Sequence, residues 1–337
     1  MSKEKHSIFK QATIMLLLFT SNIIVASSYP YPENPGDKLI GDYPTQATYT
    51  HAKHEDTLLD IAREFNIGQN EILLVNPSVD RWLPGEDTKV HIPNSHLLPN
   101  TAHKGLTLNL SEYRLYYYPQ PKTKNQPRIV ITHPISIGRL DWNTPLGKTS
   151  IIAKNKNPTW TPPKSIREEH EAEGDILPKV FPAGPDNPLG LFALRLGVPG
   201  YLIHSTNKPY GVGMRVSHGC IRMYPEDIEK LFPQIKVGMP VYIVNQPIKI
   251  GWSDNILYIQ VYPDLEGNEL SFEEKLDIAL DLIEKANNNQ VPVLDTHALK
   301  SALQQSNGIP VAIFERRLSP LIRQTPEFMA TLRMTGL

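Results

Sequence analysis

Cys220 is the only cysteine in this 337-residue chain, and it lies two positions after His218 and sixteen after His204. A thiol with the ordinary pKa of about 8.5 is mostly protonated at neutral pH and needs a base before it can attack. An imidazole within reach can accept that proton and hold the thiolate as an ion pair. Gly219, directly before the thiol, lets the backbone turn tightly and expose the sulfur. The amides around Gly219 and Cys220 then become available to a developing oxyanion. Between the histidines lie Asn207, Pro209, Gly211 and Gly213, turn formers that allow His204 and Cys220 to meet across a loop. The pattern suits covalent acyl transfer, with Cys220 as nucleophile and His204 as general base.

The same residue types leave rival readings open. His204, His218 and Cys220 could act as zinc ligands. Against this, His218 and Cys220 are only two apart, there is no further cysteine and no His-x-x-x-His pair, so neither metal nor cofactor is expected. A buried structural thiol is a second reading. A thiol hydrolase that cuts peptides without joining them is a third, since hydrolysis and acyl transfer to an amine share an acyl-enzyme. A non-catalytic binding scaffold is a fourth.

The bulk of the chain narrows the setting. A formal charge of −1 without a basic block removes the electrostatic footprint of nucleic-acid binding. Thirty-one prolines and few long helical periodicities favour a mainly β, loop-rich protein. Lys3, Lys5 and Lys10 precede an apolar run from Ala12 to Val25, and Ala26, Ser27 and Ser28 suit a signal-peptidase cut. Residues 1–28 therefore read as a signal peptide and the mature chain as exported. Nothing later is apolar over the ~20 residues a membrane span needs. An exported chain with one cysteine cannot use it for an internal disulfide.

Several elements must position these residues. The proline-rich stretch 29–47 reads as an extended linker. A strand at Thr48–His51 precedes Thr57, a capping-type helix start, with Leu58, Ile61, Ala62 and Phe65 on one helical face. A second helix over Asn70–Val75 stops at Asn76-Pro77, and Thr88–Ile92 closes the unit as a strand. From Gly105 the texture turns β. Leu106, Leu108 and Leu110 alternate with polar residues as in a half-buried strand, and Tyr113–Tyr118, Arg128–Thr132, Thr149–Ala153 and Val241–Val244 follow. Asn155–Gly190 carries seven prolines and no periodicity, which marks a candidate lid. In the tail, Leu257–Val261 reads as a strand, Ser271 opens a capping box, and a second helix spans Thr296–Gln305.

Two resemblances follow. Asp56-Thr57-Leu58, Ile61-Ala62, Asn76-Pro77 and Leu83-Pro84-Gly85 before Val90-His91-Ile92-Pro93 resemble a LysM module, with Glu55 where that family usually has glycine. Ser217-His218-Gly219-Cys220-Ile221-Arg222, preceded by His204, resembles the signature of the YkuD-type L,D-transpeptidases. Asn143–Gly147, Asn157–Trp160 and Pro185–Gly190 resemble its Gram-negative ErfK/YbiS-like branch, which carries a LysM module. The resemblance implies a YkuD-like β-sandwich at 104–245, a βααβ LysM domain at 48–93, and a small α/β C-terminal domain at 246–337. It implies that the Ser205 carbonyl orients His204, although many relatives have glycine at that position. Ser217, His218 and Gly219 would shape the nucleophile turn and oxyanion site, and Arg222 would anchor a substrate carboxylate or brace the loop. The implied partners are peptidoglycan glycan strands and peptide stems in the periplasm, with an outer-membrane protein as an alternative acceptor.

Overall fold

The computed structural model describes residues 27–34, 36–42 and 48–316. The leader expected over 1–28 therefore lies outside the described residues up to residue 26. Among the described residues no helix is long and apolar enough to cross a membrane.

The protein is mainly β. Its central feature is a nine-stranded sheet, in the order Ser27–Pro30, Ile129–Pro134, Arg114–Tyr118, Gly105–Asn109, Pro240–Val244, Gly147–Lys156, Phe192–Leu196, Leu202–His204 and Ile221–Arg222. Two neighbouring pairs are parallel: Gly105–Asn109 with Pro240–Val244, and Leu202–His204 with Ile221–Arg222. The sheet changes partner along Gly147–Lys156. Residues 147–150 pair with Pro240–Val244, and residues 151–156 pair with Phe192–Leu196. Between Ile151 and Ala153 the register slips by one residue, leaving half-exposed Ile152 unpaired. Such a bulge bends a strand and raises its twist, and here it curls the half-sheet bearing His204 back over the core. Leu106, Leu108, Ile151, Leu194, Ile203, Ile221 and Val241 fill the enclosed space.

The alternating leucines predict a strand with one wet face, yet all of Gly105–Asn109 is buried. Its polar face is covered as well. Thr107 meets Thr101 at 2.9 Å, and the Asn109 side chain donates to Glu112 at 2.7 Å.

Two described segments of the stretch expected as an extended linker are instead paired into the fold. Ser27–Pro30 pairs with the Ile129–Pro134 strand, and Leu39–Ile40 with His96–Leu97. Tyr31 is held by the Arg128 guanidinium, 3.7 Å over its ring. The prolines limit these pairings to edges, where missing N–H donors cost nothing.

Residues 48–92 form a strand–helix–helix–strand unit, with strands Thr48–His51 and Lys89–Ile92 paired and helices Leu58–Glu64 and Gln69–Val75 between them. Thr57 caps the first helix through a reciprocal box with Asp60. Leu58, Ile61 and Ala62 are buried as their spacing requires, whereas Phe65, beyond the helix end, is partly exposed. The C-terminal unit packs helices Phe272–Ala286 and Thr296–Gln305 on an antiparallel sheet of Ile248–Ser253, Ile256–Val261 and Val311–Glu315.

Two buried ion pairs join the three units. Glu71 of the N-terminal unit receives both Nε and Nη2 of Arg114, on the sheet, at 2.6–2.9 Å. Lys249 of the C-terminal unit meets Glu112 at 2.6 Å. All four side chains are almost wholly buried. Breaking one partner of such a pair leaves an uncompensated charge. Arg114→Met should cost about 3–5 kcal/mol in urea denaturation. The Glu71→Gln/Arg114→Met double variant, which leaves no lone charge, should be more stable than the single one.

Candidate active site

His204 ends the Leu202–His204 strand, and Cys220 lies just before Ile221–Arg222, the parallel neighbour of that strand. Sixteen residues of chain are thus closed into adjacent strand ends. The amide of Met223 donates to the His204 carbonyl at 2.9 Å and fixes that register. Both side chains line one cavity of about 270 Å³, together with Trp142, Trp160, Ile166, Leu189, Tyr201 and Arg222.

His204 is buried, and its Nδ1 lies 2.5 Å from the Ser205 carbonyl. A carbonyl can only accept, so the proton is assigned to Nδ1 and the Nε2 lone pair is left for the thiol proton. Burial, reinforced by the Arg222 charge, pushes the His204 pKa down to about 3 against the opposing pull of the Ser205 and Leu189 carbonyls. Burial also pushes the Cys220 thiol up, although the Leu202 amide and Arg222 act the other way. The sequence suggested a thiolate–imidazolium pair; the site instead favours a neutral thiol beside a neutral imidazole. In this state Sγ donates to the Gly200 carbonyl at 3.6 Å.

The nucleophile turn is held from several sides. Gly219 has φ +93°, and a Cβ there would lie 2.7 Å from the Tyr201 ring. Only glycine satisfies both constraints. Thr144 donates to the Gly219 carbonyl at 3.0 Å and accepts from the Gly138 amide at 3.2 Å. Buried Ser217 donates through Oγ to the Cys220 carbonyl. Among the described residues the amides of Gly219 and Cys220 donate to no protein group, which suits an oxyanion hole. Ser205 fits because Gly190 makes room: a Cβ on Gly190 would approach the Ser205 side chain to 2.6 Å.

His218 turns to different partners. Its Nε2 lies 2.8 Å from Glu169 and 3.1 Å from Arg139, and its ring packs edge-on against Trp142. Among the described residues no three His, Cys, Asp or Glu side chains converge as metal ligands, so His204, His218 and Cys220 do not assemble the zinc arrangement. Among the described residues, Arg222 has a buried Nε without a protein partner, and its side chain lines the cavity. An unpaired, half-buried guanidinium is suited to a ligand carboxylate.

Glu169, Arg139, Thr144 and Tyr201 were not singled out as site residues in the sequence. Glu169 belongs to a helix, Lys164–Ala172, inside the region where no periodicity was found. That helix has no side-chain cap and buries only Ile166, so it leaves no apolar stripe to detect. The rest of the lid is ordered by paired Trp160 and Phe181 backbones and by the Asn187 side chain, which donates to the Pro158 and Pro182 carbonyls.

The His204 shift has a consequence for stability. Below pH 6.5 the unfolded chain takes up a proton that the folded site refuses until about pH 3. The contribution of the neutral imidazole is thus present above pH 6.5 and lost as pH falls toward 3. Buried His96, lowered by burial, acts in the same sense. The urea midpoint should fall between about pH 7 and pH 5, and His204→Gln should narrow that fall.

The family model for the YkuD L,D-transpeptidase catalytic domain matches residues 103–243. The Escherichia coli protein named "Probable L,D-transpeptidase YbiS" is 38% identical over 291 residues, which cover 86% of this chain and 92% of that protein. "Probable L,D-transpeptidase ErfK/SrfK" of the same organism is 36% identical over 303 residues, covering 88% and 94%. "Probable L,D-transpeptidase YcfS", again from Escherichia coli, is 36% identical over 302 residues, covering 88% and 91%. With the thiol site formed and this extent of sequence shared along almost the whole length of these relatives, the chain belongs to the YkuD-type L,D-transpeptidase family.

Proposed function

We propose that the protein cross-links peptidoglycan stems through a Cys220 thioester, with His204 as general base. The observation that carries this reading is that the sole thiol lines one cavity with a buried imidazole whose Nδ1 is engaged by the Ser205 carbonyl and whose basicity is lowered by burial. As Cys220 leaves the Gly200 carbonyl to attack, Nε2 of His204 takes the thiol proton. The sulfur adds to the carbonyl joining the L-centre of diaminopimelate to a terminal D-alanine. The amides of Gly219 and Cys220 receive the negative charge that develops on the carbonyl oxygen. On collapse, His204 returns the proton to the departing D-alanine amine, and the thioester remains. The side-chain amine of a second stem then attacks the thioester, releases the thiol and forms a 3→3 cross-link.

The surrounding residues support this course. Arg222 offers its unpaired guanidinium to a stem carboxylate. The lid side chains Trp160, Ile166 and Leu189 form an apolar wall, which disfavours water relative to an amine acceptor. His218, tied to Glu169, joins the nucleophile turn to the lid.

The 48–92 unit is read as a LysM module that holds the glycan strand. Trp82 is 62% exposed and Leu83 73%, on a loop that presents an aromatic face to a sugar ring. The leader expected from the sequence over 1–28 supports a periplasmic setting for the reaction. An envelope protein's lysine in place of the second stem is the alternative acceptor, and water is the acceptor in the hydrolytic reading.

Incubation with disaccharide-tetrapeptide should yield an acyl-enzyme mass and 3→3 dimers, both lost in Cys220→Ala. Acyl-enzyme without dimers would redirect the acceptor to protein lysine or water, and no acylation at all would sink the thiol mechanism. Arg222→Gln should raise KM more than it lowers kcat. Trp82→Ala should weaken co-sedimentation with purified peptidoglycan, in line with the ~1 kcal/mol worth of an aromatic contact.

A further inference from the structure

The loop joining His204 to Cys220 is not held by the catalytic sheet alone. Its turn, Pro209–Gly211 and the two residues after it, rests on the first turn of the Gln69–Val75 helix in the N-terminal unit. The Gln69 amide donates to the Val212 carbonyl at 3.1 Å, and the Asn70 amide to the Gly213 carbonyl at 3.2 Å. The opening amides of a helix have no acceptor within it, so the loop carbonyls complete that helix. The two backbones touch. A Cβ on Gly213 would lie 2.5 Å from Gly68 Cα, and a Cβ on Gly68 would lie 2.8 Å from Gly213 Cα.

The grip repeats just past the thiol. The Tyr224 hydroxyl donates to the Ile67 carbonyl at 3.3 Å. Arg63 holds Glu226 through two hydrogen bonds of 2.7 and 2.9 Å. The N-terminal unit therefore grips the chain on both sides of Cys220, at 212–213 and at 224–226. A module that only delivered glycan would need a tether, not shared backbone hydrogen bonds with the catalytic loop.

On the assignment of Cys220 and His204 as the reacting pair, we propose that the Gly68–Asn70 turn is a positioning element of the catalytic centre. It sets the course of the 205–219 loop and, through it, the separation of imidazole and thiol. The N-terminal unit then governs the chemical step even for a soluble stem that carries no glycan.

Gly68→Ala tests this from the far side of the contact. Gly68 sits at φ −84° and ψ 160°, a conformation open to alanine. The added methyl is therefore felt mainly at Gly213 Cα, with looser contacts to Glu71 and Pro134 at 3.4 Å. Because Cys220 is the sole cysteine, iodoacetamide reports on that thiol alone. In the folded variant the pH–rate profile of alkylation should shift from that of the wild type. The kcat on a soluble tetrapeptide should fall about tenfold to a hundredfold with KM little changed.

A second series covers the case in which Gly68→Ala does not fold. Arg63→Glu should slow turnover, and the Arg63→Glu/Glu226→Arg swap should restore it. A folded Gly68→Ala with unchanged profile and kcat overturns the proposal, as does a swap that restores stability but not turnover. A wild-type alkylation profile indifferent to His204→Gln would instead overturn the assignment of the reacting pair.

Discussion

A guanidinium and a carboxylate, both out of contact with water, meet where the N-terminal unit is pressed against the central sheet. Arg114 extends from a strand whose other face lines the catalytic core, and Glu71 extends from the helix that supports the 205–219 loop. Once such a pair is buried, separating its members would leave each charge in a low-dielectric setting without compensation. The orientation of the N-terminal unit is therefore tightly specified. Glu112 and Lys249 impose the same restriction on the C-terminal unit. Gln260 adds neutral hydrogen bonds, receiving the Leu97 amide and donating to the Ser95 and Gly308 carbonyls. Buried polar groups must be satisfied, and these can be satisfied only with all three units in place.

That arrangement explains how a loop-built site becomes precise. Loops are ordinarily the mobile part of a protein. Here the chain between His204 and Cys220 is bounded by strand ends in register, by the Thr144 and Ser217 hydroxyls, and by the opening amides of a helix from another unit. The glycines at 190, 213 and 219 are where backbones or side chains approach too closely for a Cβ. Close approach gives rigidity, which a preorganised oxyanion site needs.

Burial also sets the chemistry. The site lowers the basicity of His204 and raises the thiol pKa, because each charged form is denied solvent. A neutral resting pair leaves the thiol largely unreactive until a carbonyl is in place to take up charge. Arg222 lowers the pKa of both groups and, among the described residues, is itself without a protein counter-ion, so a ligand carboxylate would relieve it. The Lys164–Ala172 helix is joined through Glu169 to His218, next to Gly219 and Cys220.

The sequence by itself singled out the candidate reacting groups, since one cysteine near two histidines and a glycine leaves few chemistries. It also determined most elements whose signals are local, such as the Thr57 and Ser271 capping boxes and the alternating leucines of 106–110. It did not reveal the Lys164–Ala172 helix, which buries only Ile166 and so carries no apolar periodicity. Nor did it show that Gly105–Asn109 is buried on both faces, or that 29–42 joins the sheet edge and a second strand pair. Only the tertiary structure decided the protonation states of His204 and Cys220, the partners of His218, and the contact of Gly68 with Gly213. The His218 partners and the Gly68–Gly213 contact join groups tens to more than a hundred residues apart. Desolvation and close backbone approach are properties of what the folded chain brings together, and no local pattern records them.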